Sequence, residues 1–298
     1  MVQNPYLKAA VEALLSNTNS SCESYFGATA FHKMMFLLYV RLKKRNINLK
    51  LPYSWYRYGP FMNSLEFERQ VGAPLSYYAP ESGSVRIIDR PSCDDISPEN
   101  LRVIEQESQK LVEQYKEGKQ YKSSYLDLLL DDAYKYAPFK FQKTFNRGFF
   151  IILSQFKSYN VSKEEVEVYL DNLMKIYPYK EMDELSDTFL EWDDTARLAL
   201  NQSPSKVYNL AEDFWFIYSD LLQIKRNENI SEDIIHHWRF EFPRKFHEYD
   251  RRLSLDRKNF LRAYRGRCLQ DTEVQKIVRK MNDLSFSLAI NNKAGKKA

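Results

Sequence analysis

Four helix starts are written into this chain in unusually plain side-chain terms. Ser97-Pro98-Glu99 supplies a capping hydroxyl, a proline whose missing N–H is harmless in the first turn, and a carboxylate at the positive end of the helix dipole. Ser162 and Glu165 form a capping box ahead of VEVYLDNLMKIY, Pro204-Ser205 precedes KVYNLAEDFWFIYSDLLQIKR, and Ser231-Glu232-Asp233 opens a further amphipathic run. Helical spacing of apolar residues also fits 122–135, 140–158, 181–200, 244–264 and 271–288, so no strand is required after residue 90. A proline at 243 predicts a break between the run from Ser231 and the next helix.

The first ninety residues are more varied. Residues 5–15 carry Tyr6, Ala9, Ala10, Ala13 and Leu14 at near-helical spacing. GATAFHKMMFLLYVRLKKR (27–45) is apolar on most of its faces and ends in a basic turn, as a buried central helix would. LPYSWYRYG reads as a short aromatic strand, followed by a helix from about Met62 to Gln70. In LSYYAPESGSVRIID two β-prone runs flank turn residues, predicting a hairpin. The order helix, helix, strand, helix, hairpin is winged-helix-like, so the fold class is mainly α with a small β element and an all-helical carboxyl-terminal region.

Composition removes whole classes of function. Neither a basic segment leading into an apolar one at the start nor an uninterrupted apolar run of membrane-spanning length is present, which predicts a cytoplasmic chain with no membrane partner. Cys22, Cys93 and Cys268 are too scattered for a disulfide framework or a metal knuckle. No Walker loop, GxGxxG, GxSxG or HExxH occurs, and 8 glycines in 298 residues argue against a phosphate-cradling loop. His237, His247 and Asp250 could be offered to a metal, but the break expected at Pro243 separates them, and ordinary surface and packing roles are the reading adopted. The expectation is a non-enzymatic protein with no cofactor and no metal.

Formal charge is only +4, yet it is unevenly placed. Glu164–Asp233 holds 17 acidic against 6 basic residues, whereas His236 to the end holds 16 basic against 7 acidic. Either these halves neutralise one another across a helical domain, or the basic part presents a face to nucleic acid or an acidic partner. Candidate phosphate contacts are Lys43, Lys44 and Arg45 in RLKKRNINLK, and Arg251, Arg252, Arg262, Arg265 and Arg267 in the later basic run.

The densest local signal is YSWYRYGPFMNSLEF (53–67). Gly59 permits a backbone angle that other residues resist, and Pro60 suits the first turn of a following helix, so the pair predicts a rigid strand-to-helix corner. Tyr53, Trp55, Tyr56, Tyr58 and Phe61 either pin that corner onto the helix holding Met35 and Phe36, or pin it and also present a recognition surface. On strand alternation, Trp55 shares a face with Tyr53, and Tyr56 shares the other with Tyr58.

FHKMMFLL (Phe31–Leu38), followed by SWYRYGPF (Ser54–Phe61), resembles the signature of the Panacea, or SocA-like antitoxin, domain family over roughly residues 5–135. Lys33 matches the family's helix lysine and Tyr58-Gly59-Pro60 its tripeptide. Glu66 is a loose counterpart of the acidic residue that usually follows the tripeptide. The resemblance implies a compact, mainly helical neutralising or adaptor module of toxin–antitoxin, phage or mobile-element defence loci. The aromatic corner itself, Trp55, Tyr56, Arg57, Tyr58, Gly59, Pro60 and Phe61, is the expected surface for a protein partner, which it clasps together with the helical carboxyl-terminal region. A unit of residues 1–136 and an all-helical unit of 137–298, meeting near Pro138 without a flexible linker, are the expected divisions. The alternative is a nucleic-acid-binding regulator using the winged-helix-like unit and the basic helices.

Overall fold

The computed structural model describes residues 4–19, 28–72, 96–117, 125–156, 161–202, 204–270, 275–277 and 280–281. The hairpin expected over 75–89 lies outside them, as does most of the helix expected over 271–288. Helices α1 (Pro5–Asn19), α2 (Ala28–Lys43), α3 (Ser64–Val71), α4 (Pro98–Glu117) and α5 (Tyr125–Ala133) build the first part. The rest is α6 (Lys140–Thr144), α7 (Phe150–Phe156), α8 (Lys163–Ile176), α9 (Ser186–Leu200), α10 (Pro204–Lys225) and α11 (Glu232–Gln270). Among the described residues the protein is mainly α with one small antiparallel sheet, as its sequence predicts.

Local chemistry accounts for the helix ends. Ser162 accepts from the Glu165 N–H, and the Glu165 carboxylate accepts from the Ser162 N–H, completing the capping box of α8. α2 is buried along almost its whole length and packs on α4, α5 and the sheet. A five-residue π turn, Phe145–Phe149, joins α6 to α7. Around it gathers an aromatic core: Phe145 stacks on Trp215 with ring centroids 5.3 Å apart, and Tyr177 on Phe189 at 4.1 Å. One apolar cluster runs from Leu7 to Phe260 and takes side chains from both parts.

Three elements differ from the sequence expectations. The aromatic corner is a hairpin: β1 (Tyr53–Tyr56) pairs with β2 (Gly59–Met62) in the register Tyr53↔Met62, Trp55↔Pro60, Tyr56↔Gly59, and α3 begins only at Ser64. Pro60 is tolerated because β2 is an edge strand, in the order β2-β1-β3, where a missing N–H breaks no ladder to a further neighbour. The third strand, β3 (Asn227–Glu228), comes from the carboxyl-terminal half and pairs with Tyr53 and Ser54, so that half is not entirely helical. Finally, α11 does not stop at Pro243 but continues through it. The apolar residues Ile235, Phe242, Phe246, Tyr249, Leu253 and Phe260 form a stripe facing α9 and α10 on both sides of the proline, and that burial carries the helix across it.

Candidate functional site

The hairpin turn consists of Arg57 and Tyr58, and the positive φ of the hairpin falls on Gly59, at 90°. This is the arrangement of an ordinary turn followed by a glycine in the left-handed region. A Cβ added at Gly59 would meet Tyr134 at 3.5 Å, an ordinary contact, so the backbone angle and not the space is what demands glycine.

Four side chains from three elements hold this hairpin. The Arg57 carbonyl accepts from Trp215 Nε1 at 2.7 Å, out of α10, and from Asn146 Nδ2 at 3.4 Å, out of the π turn. From beneath, Lys33 Nζ donates to the Pro60 carbonyl at 2.9 Å. The Met62 N–H donates to His32 Nδ1 at 3.1 Å, which requires the neutral imidazole with its proton on Nε2. Each bond satisfies a backbone group that the short strands leave over.

Lys33 is only 2% exposed, and no carboxylate pairs with it among the described residues. Burial lowers its pKa to about 7. Burial, and secondarily the charge of Lys33, lowers that of His32 to about 3. Next to them the hydroxyl of buried Tyr134 has no hydrogen-bond partner among the described residues. Two bases and an unpaired phenol thus sit under one face of the hairpin.

The residues singled out in the sequence divide by burial. Trp55, Gly59 and Pro60 are buried and shape the hairpin from within; Tyr53 and Trp55 set their rings against Phe36 at 5.0 and 5.7 Å. Tyr56 and Arg57 are half-buried, the guanidinium lying 3.9 Å from the Phe216 ring centroid. Burial, then the Asp220 carboxylate, pushes the Tyr56 hydroxyl pKa up. Open to solvent are Tyr58, 61% exposed, and Phe61, 39% exposed and stacked on His32 at 4.1 Å. Leu65, in the first turn of α3, extends the same stretch and is also exposed. The matched acid, Glu66, is buried and ties α3 to the start of α11, accepting from Ser231 Oγ and from Arg69 at 2.8 Å.

The basic candidates are likewise sorted. Lys43 lies 3.5 Å from Glu228, Lys44 stands over the Tyr136 ring, and Arg45 lies 3.5 Å from Glu107, so these cations answer neighbouring groups. Arg252 reaches Asp213 at 3.6 Å, whereas Arg251, Arg262 and Arg265 are exposed and make no ion pair among the described residues; the surroundings of the Arg267 side chain lie outside them. The unbroken α11 sets His237 and His247 about 15 Å apart along its axis, too far for one metal ion.

A basic groove of about 920 Å³ between α6 and α8 escaped the sequence reading. Lys140, Lys143 and Arg147 line one wall and Tyr169, Asn172 and Lys175 the other, with Asp171 the one carboxylate among them. Arg147 is held by Asp131 at 2.8 Å and Asp127 at 3.1 Å, leaving the lysines to attract an anion. The i, i+3, i+7 spacing of Lys140, Lys143 and Arg147 was the available signal. No protein-family model, curated protein or solved structure matches the chain. Among the described residues no helix is long and apolar enough to cross a membrane.

Proposed function

We propose that this chain is a non-enzymatic protein-binding module that presents the 53–62 hairpin to its partner. The observation carrying this reading is the pair Tyr58 and Phe61, exposed on a turn whose backbone is fixed by Trp215, Asn146, Lys33 and His32. Exposed aromatic side chains on a preorganised backbone lose little conformational freedom when they dock, which is why such residues dominate binding energies at protein interfaces. Arg57 beside them adds a cation to the same tip. The resemblance of Phe31–Leu38 and Ser54–Phe61 to the SocA-like antitoxin domain supplies the class of partner: a toxin, or another component of a defence locus.

The test is affinity purification of the full chain and of a Tyr58→Ala/Phe61→Ala variant at low and high salt, with identification of what co-elutes. Tyr58 is well exposed, so Tyr58→Ala alone is expected to melt like the parent, whereas Phe61→Ala also removes the ring stacked on His32 and lowers the melting temperature modestly. A specific protein should be retained by the parent at both salt concentrations and weakened at least tenfold by the double substitution. A partner held equally by the variant would remove the hairpin from the interface.

A further inference from the structure

The basic residues of α11 fall into two sets on different sides of one helix. Lys245, Arg252 and Arg257 face the acidic helices α9 and α10: Lys245 lies 2.9 Å from Asp220, Arg252 3.6 Å from Asp213, and Arg257 3.5 Å from Asp194. These pairs absorb part of the excess positive charge of the last third of the chain. Arg251, Lys258, Arg262 and Arg265 are exposed and have no ion pair among the described residues. At 3.6 residues per turn the four fall within an arc of about 60°, and the inward set lies about 100° or more round from the middle of that arc. The acidic residues of this stretch, Glu248, Asp250 and Asp256, all lie outside the arc.

The free cations therefore form a line. With a rise of 1.5 Å per residue, Arg251 to Arg265 spans about 21 Å, and Arg244, in the same arc and paired with Glu241, lengthens it to about 32 Å. That length is close to one turn of B-form duplex, about 34 Å. Three of the four free cations are arginines, whose forked guanidinium suits phosphate oxygens. The exposed large apolar residues near the line are Phe240, one turn before Arg244 on the same face, and Leu255 at its flank, too few to seat a helix in a lipid surface. A regular row of charge over this distance fits a repeating polyanion better than a compact acidic peptide, which would draw cations into a cluster.

We infer that the outer face of α11 binds the phosphodiester backbone of a nucleic-acid duplex, without reading its sequence. The surface is separate from the hairpin tip, and either can fail without the other.

Fluorescence anisotropy of the full chain with a labelled DNA duplex of about 24 base pairs tests this, at salt from about 50 to about 200 mM. Four phosphate contacts predict a slope of log affinity against log salt of about −3.6, a loss of about a hundredfold over that range. Arg251→Gln/Lys258→Gln/Arg262→Gln/Arg265→Gln should weaken binding more than tenfold and flatten the slope. The corresponding lysine variant, Arg251→Lys/Arg262→Lys/Arg265→Lys, should keep the slope, which separates charge from folding. Lys245→Gln/Arg252→Gln should lower the melting temperature and leave DNA affinity unchanged. The inference is overturned if the duplex is not bound at 50 mM salt, if the glutamine variant binds as the parent does, or if vesicles of phosphatidylserine and phosphatidylcholine compete better than unlabelled duplex.

Discussion

Lys33 is held in its place by apolar surroundings and one carbonyl, and its ionisation is coupled to folding. In the unfolded chain a lysine titrates near 10.4, whereas here burial brings it to about 7. Between those values the unfolded state binds more protons than the folded one. Stability from this site is therefore fully present above pH 10.5 and is lost as the pH falls toward 7. His32, lowered to about 3, adds a second loss as the pH falls from 6.5 toward 3. The buried tyrosines, whose pKa values are raised, act only above pH 10, which leaves pH 7.5 to 9.5 as the window for the lysine. Parent stability should rise across that window with a slope approaching about 1.4 kcal/mol per pH unit at most. Lys33→Met should flatten the slope and melt above the parent at pH 7.5, the gap narrowing by pH 9.5. Denaturant melts at several pH values decide it; parallel pH profiles would mean that the lysine is solvated.

At the scale of elements, two proline positions show what periodicity reveals and what it hides. Gly59-Pro60 has the composition of a helix entry, since proline favours the first turn, and only the pairing partner across the turn tells that Pro60 lies in an edge strand. Buried α2 was legible because apolar residues cover most of its faces, and α8 because its capping box is local. β3 left no trace, for two residues carry no period. Lys33 was visible through its place in a motif, but its solitude in the core was not, because that depends on which neighbours fail to supply a carboxylate. Pro243 was read as a stop on local grounds, whereas tertiary burial of the stripe from Ile235 to Phe260 overrides it. Its side chain is exposed, so Pro243→Ala forfeits little packing and restores an N–H donor for the turn before it. The substitution should raise stability by about 1–3 kcal/mol in a denaturant melt. A lower midpoint would show that the proline shapes a bend the packing needs.

Over the whole molecule, the sheet and the turn clamps cross the position where composition suggests a division. Glu228 of β3 accepts from Tyr39 and, at 3.1 Å, from Tyr53, while Trp215 and Asn146 reach back to Arg57. Residues 1–136 produced alone would keep α1 to α5 and the hairpin but lose these partners and the face of β1 that α10 covers. Such a fragment is expected to lack a cooperative thermal transition and to associate, as measured by calorimetry and light scattering. A sharp melt from a monodisperse fragment would show that the amino-terminal part stands by itself.

Tyr53 and Glu228 are 175 residues apart along the chain. At about 5–20 residues per second, synthesis leaves the far edge of β1 without its partner strand for roughly 9–35 s. An aromatic strand with open N–H and C=O groups is a template for pairing with other chains. Nascent copies emerging together on one messenger are therefore at their stickiest just before their last quarter is made, and yield of native protein should depend on elongation speed and on chaperones more than the stability of the finished fold would suggest.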